Sequence, residues 1–224
     1  MNIQTIEIPE QREVEGQPFP LVLSPEDTTK SFEDTLSWLK SNGDELRKRM
    51  IDTGAILLRN FPIHTPEDFD AVVQAAGFTG MPYVGGAAPR NDVVKGRVLT
   101  TNESPPSEPI PFHHEMSQVP NPPAYIMFYC HVPPEKGGET PIVLSNRVYK
   151  RFRNISADFA DRLEEKGVRY IRVMPGEDDA TSAIGRSWRS TFLTDSREEA
   201  EQKMKDMGME WQWLDNDELY TVTR

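Results

Sequence analysis

The sequence predicts an α+β domain with a mainly β core, built as a sheet sandwich or barrel. Three observations carry that class. Helical periodicity is concentrated near the start and strand-like runs dominate afterwards, with helices inserted between them. Strand and helix alternate irregularly and no glycine-rich phosphate loop follows a strand, which disfavours a parallel βαβ sheet. The 19 prolines cluster at 105–111 and 120–123, with a pair at 133–134, and so punctuate loops between short strands.

Residues 1–23 read as an extended N-terminal segment and 24–224 as the main domain. In "SFEDTLSWLKSN", Phe32, Leu36 and Leu39 have helical spacing. Asn42-Gly43 is expected to break that helix; "DELRKRMIDTG" resumes it through Leu46 and Met50, and Gly54 stops it. "AILLRNF" (55–61) is an apolar run of buried-strand length. "HTPEDFDAVVQAAG" is a helix with Thr65 as N-cap, Pro66 in the first position, acids in the first turn and Gly77 at its end.

Residues 78–111 are rich in Gly, Pro and Asn, with one strand predicted at "GRVLTT". "FHHEM" and "AYIMFYCHV" read as strands joined by a proline-rich segment, "EKGGET" as a turn, and "PIVL" as a strand running into Ser145, the N-cap of "NRVYKRF". Ser156 caps "ADFADRLEEKG", which Gly167 closes before the strand "VRYIRVM". "STFLT" is expected as a strand and "DSREEAEQKMKDMG" as a capped helix with a solvated charged face. "MEWQWL" and "ELYTVTR" form two strands about the turn "DND". The last strand runs to Arg224 with no polar tail, and a core strand wants partners on both sides, so the expectation is a chain incomplete at its C-terminus.

Composition narrows the function. The 224 residues suit one large domain, 37% hydrophobic and 27% charged. Against 25 Lys and Arg stand 36 Asp and Glu, a net charge of −11 that repels nucleic-acid phosphates and anionic lipid. The N-terminus has no basic segment followed by an apolar run, and no stretch approaches the roughly 18 apolar residues of a membrane span. A single cysteine, Cys130, rules out an intrachain disulfide and fits a cytoplasmic setting. Within "AYIMFYC" it reads as a small buried hydrophobe.

The chemistry gathers in "IPFHHEMSQVPNPP" (110–123), which holds two of the four histidines. On a strand, residues two apart share a face, so His113 and Glu115 project together while His114 and Met116 project oppositely. An imidazole and a carboxylate so placed can take two adjacent positions on a divalent metal, as in the two-His-one-carboxylate sites of non-haem iron. HxE alone is a weak pattern, and a solvent-facing His and Glu is its ordinary explanation. His64, before a helix N-cap, and His131, before two prolines, read as loop histidines. The HExxH spacing of zinc hydrolases is absent.

The stretch "IPFHHEMSQVPNPPAYIMFYCHVPPEKGGETPIVLSNRVYKRF", with "GAILLRNFPIHTPEDF" and "IGRSWRSTFLTDSREEAE", resembles the TauD/TfdA family of Fe(II)- and 2-oxoglutarate-dependent dioxygenases, in its clavaminate synthase-like branch. The resemblance covers roughly residues 20–224. It implies a double-stranded β-helix, a jelly roll with flanking helices. It implies His113 and Glu115 as iron ligands and Thr140, in the GG(D/E)T position, as a contact for 2-oxoglutarate, with Gly137 and Gly138 allowing a tight turn. Asn102 and Glu103 lie just before the ligand segment, where they face a substrate pocket or cap a turn. The implied reaction oxidises a small molecule with O2 and 2-oxoglutarate and releases succinate and CO2.

One departure qualifies the likeness. The family completes its site with a distal histidine and an arginine for the cosubstrate, yet no histidine follows His131, and Arg224 stands in the wrong context. Two metal ligands therefore stand where three are needed, and the final strands of the β-helix are missing too. The expected explanations, in order, are a truncated form of an active enzyme, an inactive remnant, and a third ligand supplied by a carboxylate or a partner chain. A non-catalytic β-sandwich that binds or regulates is the rival class. Substrate and oligomeric state stay open.

Overall fold

The computed structural model describes residues 1–101, 105, 107 and 109–224. It divides into two compact units, residues 1–80 with 129–133 and residues 81–128 with 134–224. Among the described residues, no helix is long and apolar enough to cross a membrane.

The first unit begins with β1 (Ile3–Thr5), a hairpin of β2 (Arg12–Val14) and β3 (Gln17–Phe19), and β4 (Leu21–Pro25). Then come α1 (Phe32–Thr53), β5 (Ile56–Leu58) and α2 (Pro66–Ala75). β4 is the centre of a three-stranded sheet, antiparallel to β1 and parallel to β5, with Leu21 opposite Ile56 and Leu23 opposite Leu58. Leu21, Leu23, Leu39, Leu46, Val72 and Ala76 form the core between sheet and helices. Burying a leucine of this kind stabilises by roughly 1.5–3 kcal/mol.

The break expected at Asn42-Gly43 does not occur; α1 runs unbroken for 22 residues. Ser31 and Asp34 close a capping box at its start, and Gly54 ends it in the left-handed region at φ +82°. Gly43 is a packing residue. A Cβ built on it would lie 2.6 Å from the Ala76 carbonyl oxygen at the end of α2. Arg47 donates to that same carbonyl at 2.8 Å, so the glycine lets the two helices approach and the arginine satisfies the exposed end. α2 has the expected Thr65 N-cap and Pro66 in its first turn, and Asp68 completes a capping box with Thr65. Tyr129 joins this unit by stacking on Phe69 at 5.6 Å and donating its hydroxyl to the Ile63 carbonyl at 3.2 Å.

The second unit holds β6 (Asp92–Val94), β7 (Val98–Leu99), α3 (Ser145–Ile155), α4 (Ala157–Lys166) and β8 (Tyr170–Met174). It continues with α5 (Trp188–Phe192), α6 (Arg197–Asp206), β9 (Glu210–Trp213) and β10 (Leu219–Thr223). The C-terminal strand β10 is not an edge: it lies between β8 and β9, antiparallel to both. Met174, Trp188, Phe192, Ala200, Met204 and Leu219 form the core beneath this sheet, with Trp213 edge-on to Trp188 at 5.0 Å.

The strand expected at "STFLT" is the helix α5. Ser187 caps it by accepting from the Ser190 N–H at 3.2 Å. Trp188 and Phe192, one helical turn apart, are both fully buried, and the indole donates to the Asp217 carbonyl at 3.1 Å. Spacing of i and i+4 therefore overrides the β propensity of Thr191 and Phe192. Ser145, expected as an N-cap, is instead the first residue of α3, and Ser156 makes no side-chain cap to α4. Arg153 ties the two helices together through Asp161 at 2.6 Å and Glu164 at 2.9 Å.

The largest difference concerns the expected strands at 112–116, 124–132 and 141–144. None is hydrogen-bonded into a sheet; residues 115–118 form a turn, and Met116 has φ +54°. Phe112, Ile126, Phe128, Val132, Ile142 and Val143 are exposed. The four sheets are of two or three strands, so the double-stranded β-helix is not formed among the described residues. The physical reason is that an apolar run becomes a strand only when a neighbour takes its N–H and C=O groups, and among the described residues these segments pair with no strand. Cys130, read as a buried hydrophobe, lies exposed in the same region.

Substituting Gly43→Ala tests the helix contact. Helix propensity alone favours alanine by about 1 kcal/mol, whereas the clash with Ala76 is expected to make the variant about 1–3 kcal/mol less stable. Urea denaturation gives the sign, and a stabilised variant would mean that the close approach is not real.

Candidate metal centre

His113 lies on an irregular stretch and Glu115 opens the turn of 115–118. Their side chains nevertheless face each other, with His113 Nε2 3.7 Å from Glu115 Oε2. His113 Nδ1 is 2.8 Å from the Pro111 carbonyl oxygen. A carbonyl only accepts, so Nδ1 carries the proton, and in the neutral ring Nε2 keeps its lone pair for a ligand. The imidazole is 52% exposed and the carboxylate 17%, so one donor is open to solvent while the other is held inside.

Arg90 is what holds the carboxylate. Its Nη2 lies 3.3 Å and 3.4 Å from the two oxygens of Glu115, and its side chain is likewise 17% exposed. Arg90 is itself fixed, donating from Nη1 to the Thr100 carbonyl at 3.1 Å and lying over the Tyr83 ring at 5.0 Å. Arg186 lies over the same ring at 4.7 Å and donates to the Tyr83 carbonyl at 2.7 Å. Two guanidiniums thus contact one aromatic ring, a favourable arrangement for delocalised cations. Sequence reasoning misses this contact, because Arg90 and Glu115 are 25 residues apart and no local spacing links them.

The remaining candidates are placed as follows. His114 turns away from the pair, its Nε2 2.7 Å from the Ser145 hydroxyl. Thr140 is exposed, after a turn in which Gly137 and Gly138 have φ +74° and +78°. Asn102 and Glu103 lie outside the described residues. His64 precedes α2 and donates its backbone N–H to Asp68 at 2.9 Å, and the His131 ring sits 5.9 Å from Tyr129.

The His113–Glu115 pair fits a divalent metal in part. Donors in adjacent positions, each roughly 2.1 Å from the ion, stand about 3 Å apart, so a small closure of the 3.7 Å gap would seat both. Among the described residues, no group of three or more His, Cys, Asp or Glu side chains converges. The donors that face each other are thus His113 Nε2 and a carboxylate that Arg90 also contacts.

The chain matches the family model described as taurine catabolism dioxygenase TauD, TfdA family, over residues 15–208. It is 47% identical over 223 residues to a clavaminate synthase-like protein of Arabidopsis thaliana, a match that covers 96% of this chain and 66% of that protein. It is 29% identical over 170 residues to the dapdiamide synthesis protein DdaC of Enterobacter agglomerans, covering 76% of this chain and 49% of that one. The chain thus spans a little under two thirds of the first relative's length and about half of the second's.

The Arg90–Glu115 contact is expected to be a true coupling. In a double-mutant cycle with Arg90→Met and Glu115→Gln, the two losses of stability should fall short of additivity by about 1 kcal/mol, as for a largely buried charge pair. Additive losses would show that the two side chains merely lie near each other.

Proposed function

Because this chain belongs to the taurine catabolism dioxygenase TauD/TfdA family, we propose that it is an oxidoreductase of the Fe(II)- and 2-oxoglutarate-dependent type acting on a small molecule. The observation that carries this reading is the facing of His113 and Glu115 at 3.7 Å, in the HxE position of the family pattern. His113 would give Nε2 to the iron and Glu115 one oxygen, while Thr140 would seat the cosubstrate. Iron(II) with 2-oxoglutarate and O2 supplies the oxidising power, with succinate and CO2 as co-products.

The residues of this chain have the following parts. The Pro111 carbonyl fixes the His113 tautomer. Arg90 spreads its bond over both Glu115 oxygens, which holds the carboxylate in place and leaves its outer lone pairs for a metal. His114 stays with Ser145 and takes no part in ligation. A net charge of −11 and a lone cysteine favour a cytoplasmic protein that binds neither nucleic acid nor membrane.

Two donors hold iron weakly, and no third is grouped with them among the described residues. Calorimetry with Mn(II) should therefore find a Kd weaker than micromolar that depends on His113 and Glu115. Binding unaffected by His113→Ala would instead favour a non-catalytic β-sandwich that binds or regulates. With Fe(II), ascorbate and 2-oxoglutarate, the 224-residue chain is expected to form no succinate alone. Succinate formation abolished by His113→Ala would show that the centre is already complete.

A further inference from the structure

We propose that the second unit carries a separate anion site, a pocket at Arg172 that takes one small monovalent anion, either a halide or a carboxylate head group. The proposal does not depend on the oxygenase reading. It starts from the pleat of β8, which puts Tyr170, Arg172 and Met174 on one face. Thr221 of β10 lies directly opposite Arg172, and Thr223 opposite Tyr170. These residues, with Gln118 and Thr191, line a small chamber whose other walls include Met207 and Met209. Its free volume is about 10 Å³, room for one water-sized group.

The chamber holds a cation without a counter-charge. Arg172 Nη1 makes one long contact to the Gly85 carbonyl, at 3.5 Å. That oxygen already accepts from Gln118 Nε2 at 2.9 Å. Arg172 Nη2 is buried with no hydrogen-bond partner among the described residues, and no carboxylate among them forms an ion pair with it. Burial lowers its pKa to about 10, and Arg186 nearby pushes the same way against the opposing effect of Tyr83. The group is still charged at neutral pH.

A buried guanidinium with spare donors is strongly disfavoured unless something accepts from it. Thr221 and Thr223 line the same space, while Thr191 already donates to the Gly86 carbonyl at 3.5 Å; a guanidinium fork suits a carboxylate or a halide. The walls can adapt. Methionine side chains at 174, 207 and 209 are flexible and polarisable, so the chamber can widen around a carboxylate head. A water molecule would satisfy one donor but leave the charge uncompensated.

Chloride-35 NMR on the metal-free chain in EDTA tests this. The proposal predicts that the chain broadens the chloride line and that Arg172→Met weakens the broadening about tenfold or more, as for loss of a charge-assisted bond; acetate then separates the two occupants. Thr221→Val, which keeps shape and strand propensity, should fold and weaken the broadening in the same direction. Acetate displacing chloride at lower concentration identifies the occupant as a carboxylate head; chloride persisting against excess acetate identifies it as a halide. No broadening by the wild-type chain, or equal broadening by folded Arg172→Met or Thr221→Val, overturns the proposal. Because no metal is present, these results are independent of whether His113 and Glu115 hold iron.

Discussion

Glu115 is contacted by two nitrogen groups, and the geometry around it depends on those contacts. Arg90 contacts both carboxylate oxygens at 3.3 Å and 3.4 Å. His113 Nε2 stands 3.7 Å from Oε2. A carboxylate that is only 17% exposed needs a partner, because an unpaired buried charge is costly. Arg90 meets that need. The arginine is in turn fixed by the Thr100 carbonyl and the Tyr83 ring, and the ring by Arg186. The geometry around residue 115 is thus set by side chains from residues 83, 90 and 186, none of which belongs to the HxE pattern.

Where a segment's hydrogen-bonding groups find neighbours, the chain forms the element its pattern calls for. β4 pairs on both sides and all five of its residues are buried, and β10 pairs on both sides. Where neighbours are lacking, the same kind of apolar run stays irregular. Ile126, Phe128, Ile142 and Val143 are exposed, although their sequence is as strand-like as that of Leu21 and Val22. The family's jelly roll is therefore represented by small sheets and six helices among the described residues.

Much of the local structure was legible in the sequence because its causes are local. Thr65, Pro66 and Asp68 lie within four residues and specify the start of α2; Ser196 does the same for α6. The errors came where a distant contact decided the outcome. Gly43 looked like a breaker because its neighbour across the helix pair, Ala76, is 33 positions away. "STFLT" looked like a strand until the burial of Trp188 and Phe192 on one helical face outweighed propensity. At the centre, the two-residue spacing of His113 and Glu115 could be read directly. Arg90, Tyr83 and Arg186 could not, since only the fold brings them to residue 115.

The proposed function gives the paired histidines different roles: His113 would be a metal ligand and His114 a bystander hydrogen-bonded to Ser145. Electron spin echo spectroscopy of the Mn(II)-loaded chain tests it most directly, by detecting nitrogen bound to the metal. The account predicts modulation from a single imidazole, lost in His113→Ala and kept in His114→Ala. Modulation that survives in His113→Ala, or that vanishes in His114→Ala, would contradict it.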